Sequence, residues 1–233
     1  MFNGKNSAYN KIYSNQFKVN KMKSIKLFII LQLCIVYPIV AQNNVIEPDL
    51  SKVNNTDFWT LFNRALIPDD IVHLNGQSGD GLLYYNNTKF SNGRIEVEIK
   101  GKDEQGKSFV GLAFHGLNDS TYDAIYFRPF NFKNPDRKGH SAQYISHPEY
   151  TWFKLRKEFP DKYENIVSPV PEPNEWFQVT IVINYPVVKV YVNNSEKTSL
   201  MIELLSNRKE GWVGFLVGNN SEGYFRNLKI IPE

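Results

Sequence analysis

The chain has 233 residues, of which 27 are Lys or Arg and 24 are Asp or Glu, for a formal net charge of +3. Six of the basic residues and none of the acidic ones precede position 42, so the 192 residues from there on carry 21 basic against 24 acidic groups, a net −3. That balance argues against a basic surface for nucleic acid, and none is expected as a partner. Cys34 is the one cysteine, so residues 42–233 hold no disulfide, thiol nucleophile or cysteine-ligated zinc.

Lys5, Lys11, Lys18, Lys21, Lys23 and Lys26 lead into a largely apolar run at 25–41. A basic n-region before an apolar h-region predicts a secretory signal cleaved after Ala41, hence a secreted or periplasmic protein. Met22 is an alternative start with its own compact basic segment. The competing reading is an anchor. Seventeen residues sit at the short limit of a span, Gln32 and Pro38 interrupt them, and membrane contact is expected only through this leader if it stays uncleaved. Leu33 stands where a lipidated cysteine would need a small residue before it. Residues 42–56, with Pro48 and two Asn pairs, read as a linker, and 57–233 as a single domain.

Within that domain the dominant period is two. Ile95, Val97 and Ile99 alternate with charged residues over 94–100, the pattern of a half-buried strand. Residues 109–114 are almost continuously apolar, as in a strand buried on both faces, and 124–127 continue that sheet. A short strand is expected at 142–146 and a helical period only at 151–159. Alternation returns at Phe177, Val179, Ile181 and Ile183, at Val188, Val190 and Val192, and at Val213, Phe215 and Val217. Asn75-Gly76, Asn92-Gly93 and Asn193-Asn194 are turn signals, and Pro186 fits a strand entrance. Many short strands with such punctuation predict an all-β antiparallel sandwich. Residues 128–175 interrupt it with seven prolines and eight aromatic residues, which predicts an ordered excursion packed over one face of the sheets.

The candidate chemistry gathers around that excursion. If Asp123 opens a strand, Ile125 and Phe127 share its face while Tyr126 and Arg128 point the other way. His115 at the end of the adjoining strand, with Tyr126, Arg128 and Gln143, then forms a polar patch. An arginine beside aromatic rings suits a carboxylate or a pair of sugar hydroxyls; the alternative is a satisfied core histidine, an interior tyrosine and a surface arginine. Tyr144, Tyr150, Trp152 and Trp212 are candidates for stacking on a sugar, whereas Trp176 is expected in the core. Residues 128–162 carry eight basic against four acidic groups, a solvated loop or a site for an anionic glycan. Glu96 and Glu98 lie ~7 Å apart on one strand face, within the ~5–9 Å of a glycosidase pair; with Arg94 and Lys100 beside them they also read as a solvated face. His115, His140 and His147 could share a metal, though their spacing forms no local ligand motif.

The closing third carries a cadence: Trp176-Phe177-Gln178-Val179-Thr180-Ile181, Val188-Lys189-Val190-Tyr191-Val192-Asn193, Gly211-Trp212-Val213-Gly214-Phe215 and Tyr224-Phe225-Arg226-Asn227-Leu228-Lys229-Ile230. It resembles the concanavalin A-like lectin/glucanase superfamily, including laminin-G-like jelly rolls and the bacterial 3-keto-disaccharide hydrolase domain. Gly111-Leu112-Ala113-Phe114-His115-Gly116 and Gln143-Tyr144-Ile145-Ser146 are similar in placement to two central strands of that domain. The resemblance, over about 58–231, implies a jelly roll of two curved antiparallel sheets with a glycan or small saccharide on the concave face or loop edge. No cofactor is required by it. It makes calcium an available ligand for the acidic turns Asp69-Asp70 and Asn118-Asp119 with Asp123. The Glu-x-Asp-x-Glu strand of family 16 glucanases is absent. Where the hydrolase domain has Asn-Ser-Gly-Ile this chain has Phe109-Val110-Gly111-Leu112, and Glu-x-Gln is reduced to Ala142-Gln143. Glycan binding without paired carboxylates is therefore the first expectation. The alternative is a hydrolase or lyase of 3-keto-glycosides, in which the ketone acidifies a neighbouring proton and one base, His115 or Asp123, suffices, with Arg128 stabilising the charge. A third reading is a surface module whose excursion binds protein.

Overall fold

The computed structural model describes residues 45–69 and 71–233. The expected leader, its cleavage site and the Met22 start lie outside the described residues. Two antiparallel sheets make a jelly-roll sandwich. The seven-stranded sheet runs in the order β1 (Trp59–Phe62), β3 (Gly81–Phe90), β12 (Gly211–Val217), β5 (Val110–Gly116), β6 (Tyr122–Phe127), β7 (Ala142–His147) and β8 (Glu164–Asn165). The six-stranded sheet runs β11 (Leu200–Glu203), β10 (Val187–Val192), β9 (Phe177–Asn184), β4 (Gly93–Lys100), β13 (Ser221–Pro232) and β2 (Val72–Gln77).

Alternation decides what fills the space between them. Ile95, Val97 and Ile99 of β4 and Phe177, Val179, Ile181 and Ile183 of β9 are buried, with half-buried or exposed residues between them. Phe215 stacks on Phe225 at 4.6 Å, and Phe127 meets Phe177 edge-on at 5.3 Å. Such pairs add about 0.5–1.5 kcal/mol each beyond the area they bury. β5 is buried along its whole length, as its continuous apolar run predicts.

Two expectations are corrected. Asn75-Gly76 is strand interior rather than turn, because the Asn75 side chain accepts from the Ala65 amide at 2.7 Å and its own amide donates to the Ala65 carbonyl. The described part of the expected linker lies against the sandwich: Ile46 exchanges two backbone bonds of 2.8 Å with Ile230, and Leu50 and Val53 rest on the core. The excursion carries the strand expected at 142–146 and the helix expected within 151–159. It supplies β7 and β8, and between them a helix α1 (Trp152–Glu158) capped by Thr151 and anchored by buried Leu155.

One irregularity has consequences for the site. Trp212 pairs with Gly116 but Gly214 pairs with Ala113, so β5 carries one extra residue there. The bulge falls at His115, whose φ is +48°, a left-handed conformation that reverses the side chain's expected face.

Candidate functional site

Tyr126 pairs with Gln143, and Gln143 with Glu164, so β6, β7 and β8 present these three on one face, the one turned away from the second sheet. Arg128 completes the row. Its Nη2 donates to Tyr126 Oη at 2.6 Å and to Gln143 Oε1 at 3.3 Å, and its Nη1 to the His140 carbonyl at 2.8 Å. Gln143 Nε2 donates in turn to the carbonyls of Tyr144 and Tyr163. Glu164 accepts two bonds from Arg156, at 2.9 and 2.6 Å, with His140 Nδ1 at 2.9 Å and Arg128 Nη1 at 3.8 Å. Burial works to raise the Glu164 pKa, but the bonds and charges of Arg156, His140 and Arg128 hold it below the ordinary carboxylate range. Burial pushes the Tyr126 hydroxyl up to about 12 despite Arg128, so it stays protonated.

Two adjoining hollows lie over this face and share Phe109, Trp152 and Asn219. The first, of about 200 Å³, has Tyr126, Ile145 and Leu216 on its floor and walls, with Asp80, His147 and Thr151 around them. It is smaller than the ~300–1,000 Å³ typical of drug-sized ligands. The second, broader at about 640 Å³, is lined by Arg128, Asn131, Asp136, Arg137, His140 and Arg156 among others. Helix α1 sets the shared wall. Thr151 at its start accepts from the Lys154 amide, and the four-residue spacing stacks Arg156 over the Trp152 ring at 5.3 Å. Trp152 itself is 46% exposed.

At the far end His147 stacks on Tyr122 at 4.9 Å, and Tyr122 donates to Asp80 Oδ2 at 3.0 Å. Burial lowers the His147 pKa, with Asp80 opposing, so its imidazole is uncharged at neutral pH. The Asp80 and Asn219 loops are clamped together by buried Arg64, which donates to the carbonyls of Gly79 and Gly218 at 2.7 and 2.9 Å, while Asn219 accepts from the Gly79 amide.

Tyr126, Arg128 and Gln143 thus come together as expected, with Trp152 at the rim. His115 does not join them. The bulge turns it inward, where Nε2 donates to the Ser91 carbonyl at 2.8 Å and Nδ1 stands 3.9 Å from Asp123. Asp123 also faces inward, accepting from Tyr144 at 2.7 Å, Ser206 at 2.7 Å and Arg208 at 2.9 Å. His115, Asp123 and Tyr144 are each 0% exposed, and none lines either hollow. Tyr150 is half-buried beneath Lys154 at 4.7 Å, beside Thr151. Trp212 is covered by Lys89 at 4.1 Å, and Trp176 is half-buried under Arg226 rather than in the core. Glu98 is taken by Arg226 and Asn227, and Glu96 by Arg94, the solvated-face alternative.

The three histidines do not converge: His115 holds Ser91, His140 faces Glu164 and His147 stacks on Tyr122. No group of three or more His, Cys, Asp or Glu among the described residues is arranged to hold a metal, and Asp123 is occupied by its donors. With Asp123 turned inward, the Asn118-Asp119 turn lacks the third ligand expected with it, and Asp70 of the other turn lies outside the described residues. Sequence reasoning missed Asp80, Phe109 and Asn219. Asp80-Gly81 and Gly218-Asn219 are turn signals, but nothing local reveals that Arg64 brings the two turns to the same rim.

The family model described as 3-keto-alpha-glucoside-1,2-lyase-like domain matches residues 1–231. No curated protein matches the chain. Among solved structures it is similar to the carbohydrate binding module CBM66 from Bacillus subtilis, with 15% identity over 73% of this chain and 92% of that one and a TM-score of 0.52. A Bacillus subtilis protein of unknown function with a galectin-like fold gives 12% identity over 79% and 94%, with a TM-score of 0.53. The VIP36 exoplasmic/lumenal domain in its Ca2+/Man3GlcNAc-bound form gives 11% over 76% and 84%, with a TM-score of 0.52. At these identities the likeness is one of fold.

Proposed function

We propose that this chain, which belongs to the 3-keto-alpha-glucoside-1,2-lyase-like domain family, holds a saccharide in the groove on the outer face of its seven-stranded sheet. The observation that carries this is the composition of the first hollow: aromatic and aliphatic walls from Trp152, Phe109, Tyr126 and Leu216, with Asp80, His147 and Asn219 at the edges. Apolar walls match the C–H faces of a sugar ring, and a few fixed polar groups orient its hydroxyls. A carbohydrate binding module and a Man3GlcNAc-bound lumenal domain share the fold, which supports the reading. The concave-face ligand expected from the sequence is assigned to this face. Export to the periplasm or beyond is carried as part of the proposal, on the basic and apolar leader. Calcium has no step in it.

A second reading is favoured by His147. In a 3-keto-glycoside the ketone acidifies the proton at C2, and its removal lets the C1 oxygen leave. An uncharged imidazole lining the hollow is suited to accept that proton. His147 replaces His115 and Asp123 in this role, since both are sealed inside the sandwich.

The test is a glycan array on the full chain, followed by incubation with matched plain and 3-keto disaccharides. The expected outcome is saccharide binding, with release of the leaving sugar from the 3-keto compound lost in His147→Ala. Binding with no release leaves recognition alone; no binding to any saccharide overturns the groove reading.

A further inference from the structure

The two hollows differ in chemistry, and the second is the more polar. Arg128, Arg137 and Arg156 line it, with Asp136 as the carboxylate on its wall. Glu164 lies behind them but is shared among several partners: Arg156 holds it through two bonds, His140 Nδ1 stands at 2.9 Å and Arg128 at 3.8 Å. Arg137 has no ion pair with any described residue, nor does Asp136. Three guanidiniums therefore face two carboxylates in a recess partly shielded from water, where an unbalanced charge is felt more strongly than on an open surface. The buried Arg128, 5% exposed, is fixed by its bonds to Tyr126, Gln143 and the His140 carbonyl, so the cationic wall is preorganised.

A recess lined by three guanidiniums matches an anionic group, and the wall it shares with the first hollow through Phe109, Trp152 and Asn219 sets that group on the same saccharide.

We propose that the second hollow is a subsite for an acidic sugar, so that the groove selects saccharides bearing a carboxylate, or a sulfate ester of the same charge, on the unit beyond Phe109 and Trp152. This rests on the groove reading above and names its ligand class.

The test measures affinity of the full chain for trigalacturonate, for its methyl ester, for a sulfated lactose and for maltotriose, each at low and high salt. The methyl ester keeps the ring shape and removes the charge, so it needs no variant. The expected result is about tenfold weaker binding of the ester than of the acid, narrowing at high salt. Arg137→Gln, an unpaired surface position, should lower acid binding several-fold while leaving maltotriose and the melting temperature unchanged. A preference for the sulfated probe over trigalacturonate supports the inference and identifies the anion as sulfate. Equal binding of acid and ester, unaffected by Arg137→Gln, overturns it while leaving the groove standing. Failure of all four probes, with no saccharide retained on the array, removes the groove and the subsite together.

Discussion

β6 and β7 carry two polar clusters, one on each face, built from alternate residues of the same two strands. The inner one joins Asp123, Tyr144 and Ser146 with Ser206 and Arg208 from the segment after β11 and His115 from β5. The outer one joins Tyr126, Gln143, Arg128 and Glu164. Both contain a buried carboxylate held by arginine. The inner carboxylate is saturated by three donors and closed over by the 204–208 segment, so its chemistry is spent on cohesion. The outer cluster opens onto hollows on both sides of Phe109 and keeps cations in excess of its carboxylate. A shift of one residue along a strand thus separates a structural polar core from a binding floor. Residue type alone does not distinguish them.

The largest expected effect tests the inner cluster. Asp123→Ala leaves the Arg208 guanidinium, 18% exposed, without its carboxylate, and removes the acceptor of Tyr144 and Ser206. Breaking a buried pair from one side costs about 3–5 kcal/mol, a fall in melting temperature of roughly 10 °C for a domain of this size. Saccharide affinity measured below the transition should stay within about twofold of the parent. Unchanged melting with abolished binding would place Asp123 in the site after all and dissolve the contrast between the faces.

The same contrast explains what the sequence could reveal. Alternation in β4, β9, β10 and β12 is legible because one face of each meets an apolar core. Tyr126 and Arg128 opposite Asp123 follow from that period too. His115 is misplaced by the same rule: counting by two from Ala113 sends it to the outer face with Tyr126, and only the bulge opposite Val213 turns it in. A bulge leaves little trace in composition, and histidine at positive φ is rare enough not to be anticipated. Tyr144 sits on the inner face by strict alternation with Gln143; an aromatic in a run of polar residues reads as a stacking platform until its partner strand is known. The hollows themselves depend on Arg64, Asp80 and Asn219, which lie up to 155 residues apart in the chain and meet only through β-sandwich closure.

A second, smaller effect separates the clusters by pH. Burial lowers the His115 pKa, so the unfolded chain takes up a proton near its ordinary ~6.5 while the folded chain does not. Stability therefore falls as pH drops through that range. Glu164 is also lowered, by Arg156 and its neighbours against the opposing effect of burial; its contribution is full above the ordinary carboxylate range and is lost only as pH falls below it. The inner cluster should weaken first. Urea melts of the parent and His115→Asn from pH 7.5 to 4 check this, since Asn tolerates the left-handed backbone and does not titrate. The variant should lose less stability than the parent as pH falls from 7, with the gap widening for as long as the folded imidazole stays uncharged. Parallel curves throughout would mean His115 carries no pH dependence.

The smallest effect on stability belongs to Trp152, and it is the sharpest probe of the outer face. The ring is 46% exposed, on the first turn of α1, and its packing partners are Phe153 at 5.9 Å and Arg156 at 5.3 Å, neither of them core. Helix α1 is anchored by Leu155 and capped by Thr151, so removing the ring leaves its fastening intact. Trp152→Ala should change stability by no more than about 0.5 kcal/mol. Binding is another matter, because Trp152 is the wall that both hollows share, and loss of stacking area on a sugar should weaken affinity by about 0.5–1.5 kcal/mol. Trp152→Phe, which keeps an aromatic face, should recover part of that loss. Calorimetric titration beside a thermal melt separates the two quantities. If Trp152→Ala unfolds the domain, the ring is a packing residue and the outer face is as closed as the inner; if it binds saccharide like the parent, the groove lies elsewhere on the sandwich.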